Sequence, residues 1–257
     1  MLQTEENNDW PTIAAIGLLA MCVVTFDHEA LGHGSVCLAL QGRILALSSS
    51  VFRCSRDSGW IALAGPAGNI LGGMIALAAR LIVPRRAVKL RLFLILVTTF
   101  SFFWESGYLM QAMLTRYGDL YFFARWALGS LTAWQCWAGA AVGLGLYLLS
   151  ARLAARALLG LVPDAEKARV LARTVWLSAT SGAALAALAY TGSVKGDLRD
   201  AVLEFGLASV ALLFIPRRDR RSSNGLPAMT ISRSVPVIVV ALIVYGAFAV
   251  TLGRGLG

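Results

Sequence analysis

The amino-acid sequence predicts an all-α polytopic membrane protein with about seven transmembrane helices and a possible short surface β-hairpin after the first. Three observations carry this expectation: a shortage of charge, a succession of apolar runs near bilayer length, and basic residues gathered between those runs. The chain is 58% hydrophobic and only 14% charged, whereas a soluble domain is about 45–50% apolar and roughly 25% charged. A bilayer-spanning helix needs about 20 mostly apolar residues. Runs of that kind occupy 11–40, 59–83, 90–114, 130–152, 170–192, 199–215 and 234–252, the sixth being the shortest.

The N-terminal stretch M-L-Q-T-E-E-N-N-D-W has no Lys or Arg. It lacks the positive start of a cleaved signal peptide, so the first span is expected to stay as an anchor. That span is long because its apolar character resumes after the polar D-H-E-A-L-G-H-G, through V-C-L-A-L. The loop that follows, R-I-L-A-L-S-S-S-V-F-R-C-S-R-D-S-G, alternates weakly about a serine turn and suits a hairpin. The second span (G-P-A-G-N-I-L-G-G) and the fourth (A-G-A-A-V-G-L-G) are rich in small residues, which let helices approach closely. Residues 115–129 mix Arg116, Gly118, Asp119 and Arg125 with aromatics and read as an interfacial or re-entrant segment. The last span contains no lysine, which disfavours a retinal protein.

The net charge of +9 would suggest nucleic acid in a soluble protein. Here the basic clusters fall at 84–91, 152–169 and 216–233, between spans, where the positive-inside rule accounts for them. With seven spans these loops share the cytoplasmic face with the N-terminus, and the first loop lies outside. A multi-pass protein of a bacterial cytoplasmic membrane is the expected location, with the lipid bilayer rather than nucleic acid as its surroundings. The four cysteines form no C-x-x-C pair and so no zinc or redox motif. Cys37 and Cys54 bracket the first loop, and the expectation is that they stay unpaired and face apolar surroundings.

His28 and His33 are the only histidines in the chain. They stand beside Asp27 and Glu29 inside the first span, where ionisable residues are expensive and mark function. Imidazole and carboxylate are ordinary zinc ligands. The zinc-protease signature H-E-x-x-H places its histidines four apart; here they are five apart. On an α-helix that separates the rings by about 140°, too far to share one ion. A π-bulge brings residues five apart into line, so the spacing predicts a local π-bulge between His28 and Gly34. Gly32 and Gly34 are expected to tolerate the distorted backbone. Glu29 follows the first histidine directly, where the motif puts its general base.

The segment resembles the metal-binding helix of the site-2 protease family, the intramembrane zinc metalloproteases. In that family a strand-forming loop and then a helix with G-P-x-x-N follow, and this chain has Gly65, Pro66 and Asn69 in that pattern. The resemblance implies a Zn2+ cofactor, a transmembrane protein as substrate, Glu29 as the catalytic base, and Asn69 as a substrate-positioning residue. It also implies zinc near the cytoplasmic side and a third, aspartate ligand in an L-D-G context. No L-D-G exists here; Asp119, in R-Y-G-D-L-Y, takes that place in the order, with Glu105 in F-F-W-E-S-G-Y as runner-up. Glu204, in the short sixth span, reads as structural. Residues 11–128 are then a metal-site core and 129–257 accessory helices. Two further functional classes fit the same residues. One is an ion- or proton-coupled transporter using the His/Glu/Asp cluster, and the other is a non-catalytic metal-binding relative.

Overall fold

A computed structural model describes residues 8–215 and 230–256 of the chain. Helix α1 (Trp10–Phe26) starts where its sequence provides a stop for orphan backbone donors. Asp9 accepts from the Thr12 amide at 3.0 Å, and Pro11 occupies the first turn. The rod continues without interruption through a π-helical stretch, Asp27–Gly34, into α2 (Ser35–Ala39), giving one apolar helix of 30 residues. The predicted hairpin follows as β1 (Ile44–Leu47) and β2 (Phe52–Cys54), antiparallel with Leu47 opposite Phe52. Its turn closes on Ser48, whose backbone and hydroxyl both bond Val51.

Helix α3 (Gly59–Ile82) returns through the bundle and α4 (Val88–Thr115) passes back. Arg116 and Gly118, both at positive φ, then turn the chain into the ten-residue α5 (Asp119–Leu128). This short helix occupies the segment at 115–129 read as interfacial or re-entrant, and it lies against α3 through Trp60, Phe123 and Trp126. Helix α6 (Ala133–Leu161) opens on a capping box of Thr132 and Gln135, and α7 (Ala165–Leu188) on Asp164. Helix α9 (Val235–Phe248) runs into a final π-helical turn, Ala249–Gly253. Its Leu242, Ile243 and Val250 are exposed, as are Leu81 and Ile82 on α3, which is the outward apolar surface a bilayer requires.

Six helices are long and apolar enough to cross a membrane among the described residues. The sixth predicted span is not one of them. Residues 194–214 form α8 (Val194–Ala201), a π-helical turn (Val202–Leu207) and a 3-10 turn (Val210–Phe214). The stretch nonetheless runs from one end of the bundle to the other. Asp197 accepts from Ser48 and Ser50 beside the hairpin, and the Ile215 carbonyl accepts from Arg169 at the start of α7, at the opposite end. Its broken backbone is tolerable because protein, not lipid, surrounds much of it. Phe205 is buried against Phe100 and Trp104, and the Gly206 carbonyl accepts from the Trp176 indole at 2.9 Å.

The core lies where α1, α4, α7 and this broken crossing meet, around Ile16, Met21, Leu96, Phe100, Phe103 and Leu171. Lipid is as apolar as leucine, so close packing and polar contacts, rather than escape from water, hold such helices together.

One cysteine expectation is corrected: Cys37 and Cys54 form a disulfide, with Cα atoms 6.0 Å apart. The hairpin folds back on the end of α2 and delivers Cys54 within ordinary bridging range, a meeting that residue spacing alone does not reveal. Cys22 and Cys136 are free and buried. The hairpin is therefore fastened three times: by the disulfide, by Asp197 at its turn, and by paired backbone bonds of 2.8 Å between Leu47 and Leu256.

Candidate metal centre

The π-helical stretch Asp27–Gly34 is the bulge that the five-residue histidine spacing demands. It turns both imidazoles to one side, with their Nε2 atoms 3.2 Å apart. Each ring is held from behind. His28 stacks on Trp104 at 4.6 Å between centroids, and its Nδ1 lies 3.0 Å from Glu105 Oε1. His33 stacks on Phe52 of the hairpin, and its Nδ1 lies 2.6 Å from the Ile61 carbonyl oxygen.

The glycines act through closeness, not through unusual dihedrals. A Cβ on Gly32 would stand 2.6 Å from the Ala64 carbonyl oxygen, so α3 and the π-helical stretch touch backbone to backbone. A Cβ on Gly65 would collide with Nε2 of His33 and approach Nε2 of His28 to 2.7 Å. Gly34, by contrast, has an ordinary right-handed helical conformation, and an added Cβ there meets nothing closer than 3.5 Å.

These contacts constrain the protons. Both acceptors behind the rings, a carboxylate and a carbonyl, take a proton from Nδ1, which leaves both Nε2 lone pairs facing each other. Two such lone pairs at 3.2 Å are satisfied by a cation, which is a proton on His33 Nε2 facing Asp119 in the metal-free protein and could instead be a metal ion. Asp119 supplies the anion. Its Oδ2 is 3.4 Å from His33 Nε2 and accepts from the Tyr108 hydroxyl at 3.0 Å, while its own amide donates to that hydroxyl at 2.8 Å. Burial works against the charge of Asp119, but its contacts with His33 and Tyr108 prevail and hold the carboxyl below its ordinary value. One ligand atom from each of His28, His33 and Asp119 fits within 4.8 Å, so the three could hold a metal ion. Two imidazoles and a carboxylate are a donor set that suits zinc.

Glu29 is 3% exposed, lines the same cavity, and its Oε2 has no hydrogen-bond partner among the described residues. The other acidic expectations resolve differently. Glu105, the alternative third ligand, stands behind His28 and not beside the open Nε2 atoms. Its Oε1 also accepts from Asn69 Nδ2 at 2.8 Å. Asn69, which the resemblance marks as substrate-positioning, is fully buried and off the cavity wall, with its Nδ2 between Glu105 Oε1 and His28 Nδ1, 3.2 Å from the latter. Glu204, read from sequence as structural, does reach the cavity wall from the broken crossing.

The cavity itself measures about 930 Å³ and opens at the hairpin end, a size typical of ligand sites. Its walls include the hairpin residues Val51–Cys54 and the aromatic side of α5. Trp104 and Tyr108 escaped sequence reading, although they sit one before and three after the conspicuous Glu105 of F-F-W-E-S-G-Y, on neighbouring turns of one helix. Phe52 and the Ile61 carbonyl carry no sequence signal.

No protein-family model, curated protein or solved structure matches this chain.

Proposed function

We propose that the protein is an intramembrane zinc endopeptidase that hydrolyses a peptide bond in or near a transmembrane segment of a membrane-protein substrate. The single observation that carries the reading is a complete ligand set beside an unpartnered, buried carboxylate: His28, His33 and Asp119 with Glu29, in one cavity. The resemblance of H-E-A-L-G-H and G-P-A-G-N to the site-2 protease family supports the same reading.

Zinc at these ligands would polarise the scissile carbonyl as a Lewis acid and bring the pKa of water down to about 7. The chain's own residues do the rest. Glu105 and the Ile61 carbonyl fix the histidine tautomers, so that each presents a bare Nε2. Glu29, through its free Oε2, accepts a proton from the attacking water and returns it to the departing amine nitrogen. The substrate helix must open locally before it reacts, because helical carbonyls are already hydrogen-bonded. A cavity lined by a hairpin and aromatic side chains gives an opened segment a protein surface in place of lipid.

A second reading, an ion- or proton-coupled transporter, is favoured by one feature: the broken crossing that brings Glu204 to the cavity, since interrupted helices line many transport pathways.

Metal analysis and a cleavage assay separate the two. The purified protein should carry one zinc, and His28→Ala or His33→Ala should strip most of it. Glu29→Gln should retain zinc yet lose cleavage of transmembrane substrates in detergent. Full zinc occupancy in both histidine variants would remove the metal site, and equal cleavage by wild type and Glu29→Gln would remove Glu29 from the chemistry. Zinc binding without cleavage by either protein, together with zinc- or proton-dependent ion flux in vesicles, would establish the transporter.

A further inference from the structure

We infer that the cavity opens to the non-cytoplasmic side, so that its substrate is the outer half of a membrane-spanning helix or the stretch leaving the bilayer on that side. The inference rests on the proteolytic reading for the word substrate, but its sidedness stands on separate observations.

The first is the disulfide. Cys54 lines the cavity, and its bond to Cys37 ties the cavity's hairpin to the end of the metal-bearing helix. Disulfides persist in oxidising compartments and are rare where glutathione and thioredoxin keep thiols reduced. A hairpin held this way belongs outside the cytoplasm.

The second is charge. Arg85, Arg86, Lys89 and Arg91 surround the α3–α4 connection, and Lys167, Arg169 and Arg173 the start of α7, both at the end away from the cavity. Ile215 and Ile231, which flank a sequence with four arginines, lie at that end too, bonded to Arg169 and to Asp9 and Asn8. At the cavity end the basic residues are fewer, among them Arg53, Arg56, Arg116 and Arg125 on the cavity wall, and only part of that charge is offset, as where Arg199 pairs with Asp200 at 2.8 Å. Positive loops stay in the cytoplasm, which sends the cavity to the opposite face.

The third is the path of the chain. Because residues 194–214 pass from the hairpin end to the far end, the crossings total seven. The start of the described chain at Asn8 and its end at Leu256 therefore lie at opposite ends. The stretch predicted as the short sixth span at 199–215 makes its crossing as a broken helix rather than as an apolar α-helix of bilayer length. This orientation is the reverse of the zinc position that the family resemblance implies.

Thiol labelling tests the orientation without any appeal to metal or activity. The full chain, produced in a bacterial cytoplasmic membrane, carries Cys22→Ala and Cys136→Ala, leaving Cys37 and Cys54 as the native pair. Single thiols are then added at exposed positions, Asp57→Cys or Lys195→Cys at the cavity end and Arg86→Cys or Glu166→Cys at the other. A membrane-impermeant maleimide applied to intact cells should label the first two, and the second two only after permeabilisation. The parent with no added thiol should stay unlabelled even when denatured without reductant. Protection of both cavity-end thiols in intact cells, labelling of both ends alike, or free Cys37 and Cys54 in the denatured parent would overturn the inference. Correct labelling without any cleavage would refute the protease and leave the sidedness intact.

Discussion

Replacing Gly65 by alanine adds a single methyl group at the point where α3 passes beneath both imidazoles. The new Cβ would lie 2.7 Å from His28 Nε2 and closer still to His33 Nε2. Restoring an ordinary contact of about 3.4 Å asks the His28 nitrogen to retreat by about 0.7 Å, whereas a metal site tolerates shifts of about 0.2 Å in its ligand distances. Neither neighbour can yield easily. The α3 backbone is pressed against Gly32, and the rings are pinned through Nδ1 by Glu105 and Ile61. Overpacking of this kind costs about 1–3 kcal/mol, so zinc affinity should fall by about fivefold to a hundredfold. Competition with a chromogenic chelator, on detergent-solubilised protein, measures this directly. Gly34→Ala is the control, one residue from His33 but with open space for its Cβ. It should leave the affinity unchanged and raise stability slightly, since alanine outranks glycine in helices by about 1 kcal/mol. Equal zinc affinity in Gly65→Ala and wild type would refute the placement of the two rings over α3.

Glu105→Gln keeps the shape but removes the charge behind His28, and should weaken zinc binding about tenfold; the same chelator competition would detect it, and Glu105→Asp should recover part of the loss. Asp119 has a folded-state pKa below its ordinary 3.8, so in metal-free protein it adds stability above that pH, and the gain disappears as pH falls through the lower folded value. Unfolding curves of wild type and Asp119→Asn should therefore differ at neutral pH and converge in acid; parallel curves down to the acid limit would contradict the ion pair with His33. Removing the disulfide with Cys37→Ser and Cys54→Ser releases a separation of 17 residues and should destabilise the hairpin by about 3 kcal/mol, seen as faster proteolysis within 43–58.

Sequence patterns revealed the candidate metal site more fully than they revealed its surroundings. Two histidines five apart in an apolar run are a geometric contradiction on an α-helix, and only a π-helical stretch removes it, so local arithmetic sufficed. Both glycines lie within the π-helical stretch, but the structure gives Gly32 a further reason. Gly32 is needed because another backbone lies against it, and a contact across helices leaves no periodic trace. Glu105 announced itself as an acid in an apolar span, but whether it faces the open Nε2 or the tethered Nδ1 of His28 depends on the placing of α4. The crossing at 194–214 was hard to read for a different reason. Its charges, Lys195, Asp197, Arg199, Asp200 and Glu204, leave the apolar run at 199–215 short, and neither its start at Val194 nor its breaks into π-helical and 3-10 turns can be read from hydropathy.

The unequal anchoring of the cavity walls has a mechanical consequence. The hairpin is secured by a covalent bond, by an acid at its turn and by a strand pairing, whereas α5 on the opposite wall has no buried residue and is held by aromatic contacts and by the bonds of Asp119 to Tyr108. Elements with few buried contacts open first, so α5 should lose hydrogen-exchange protection before the hairpin does. Asp119 is its first residue, and any outward swing draws that carboxylate from His33. On the proposed metal reading, a displaced α5 would take one of the three candidate ligands away from the two histidines.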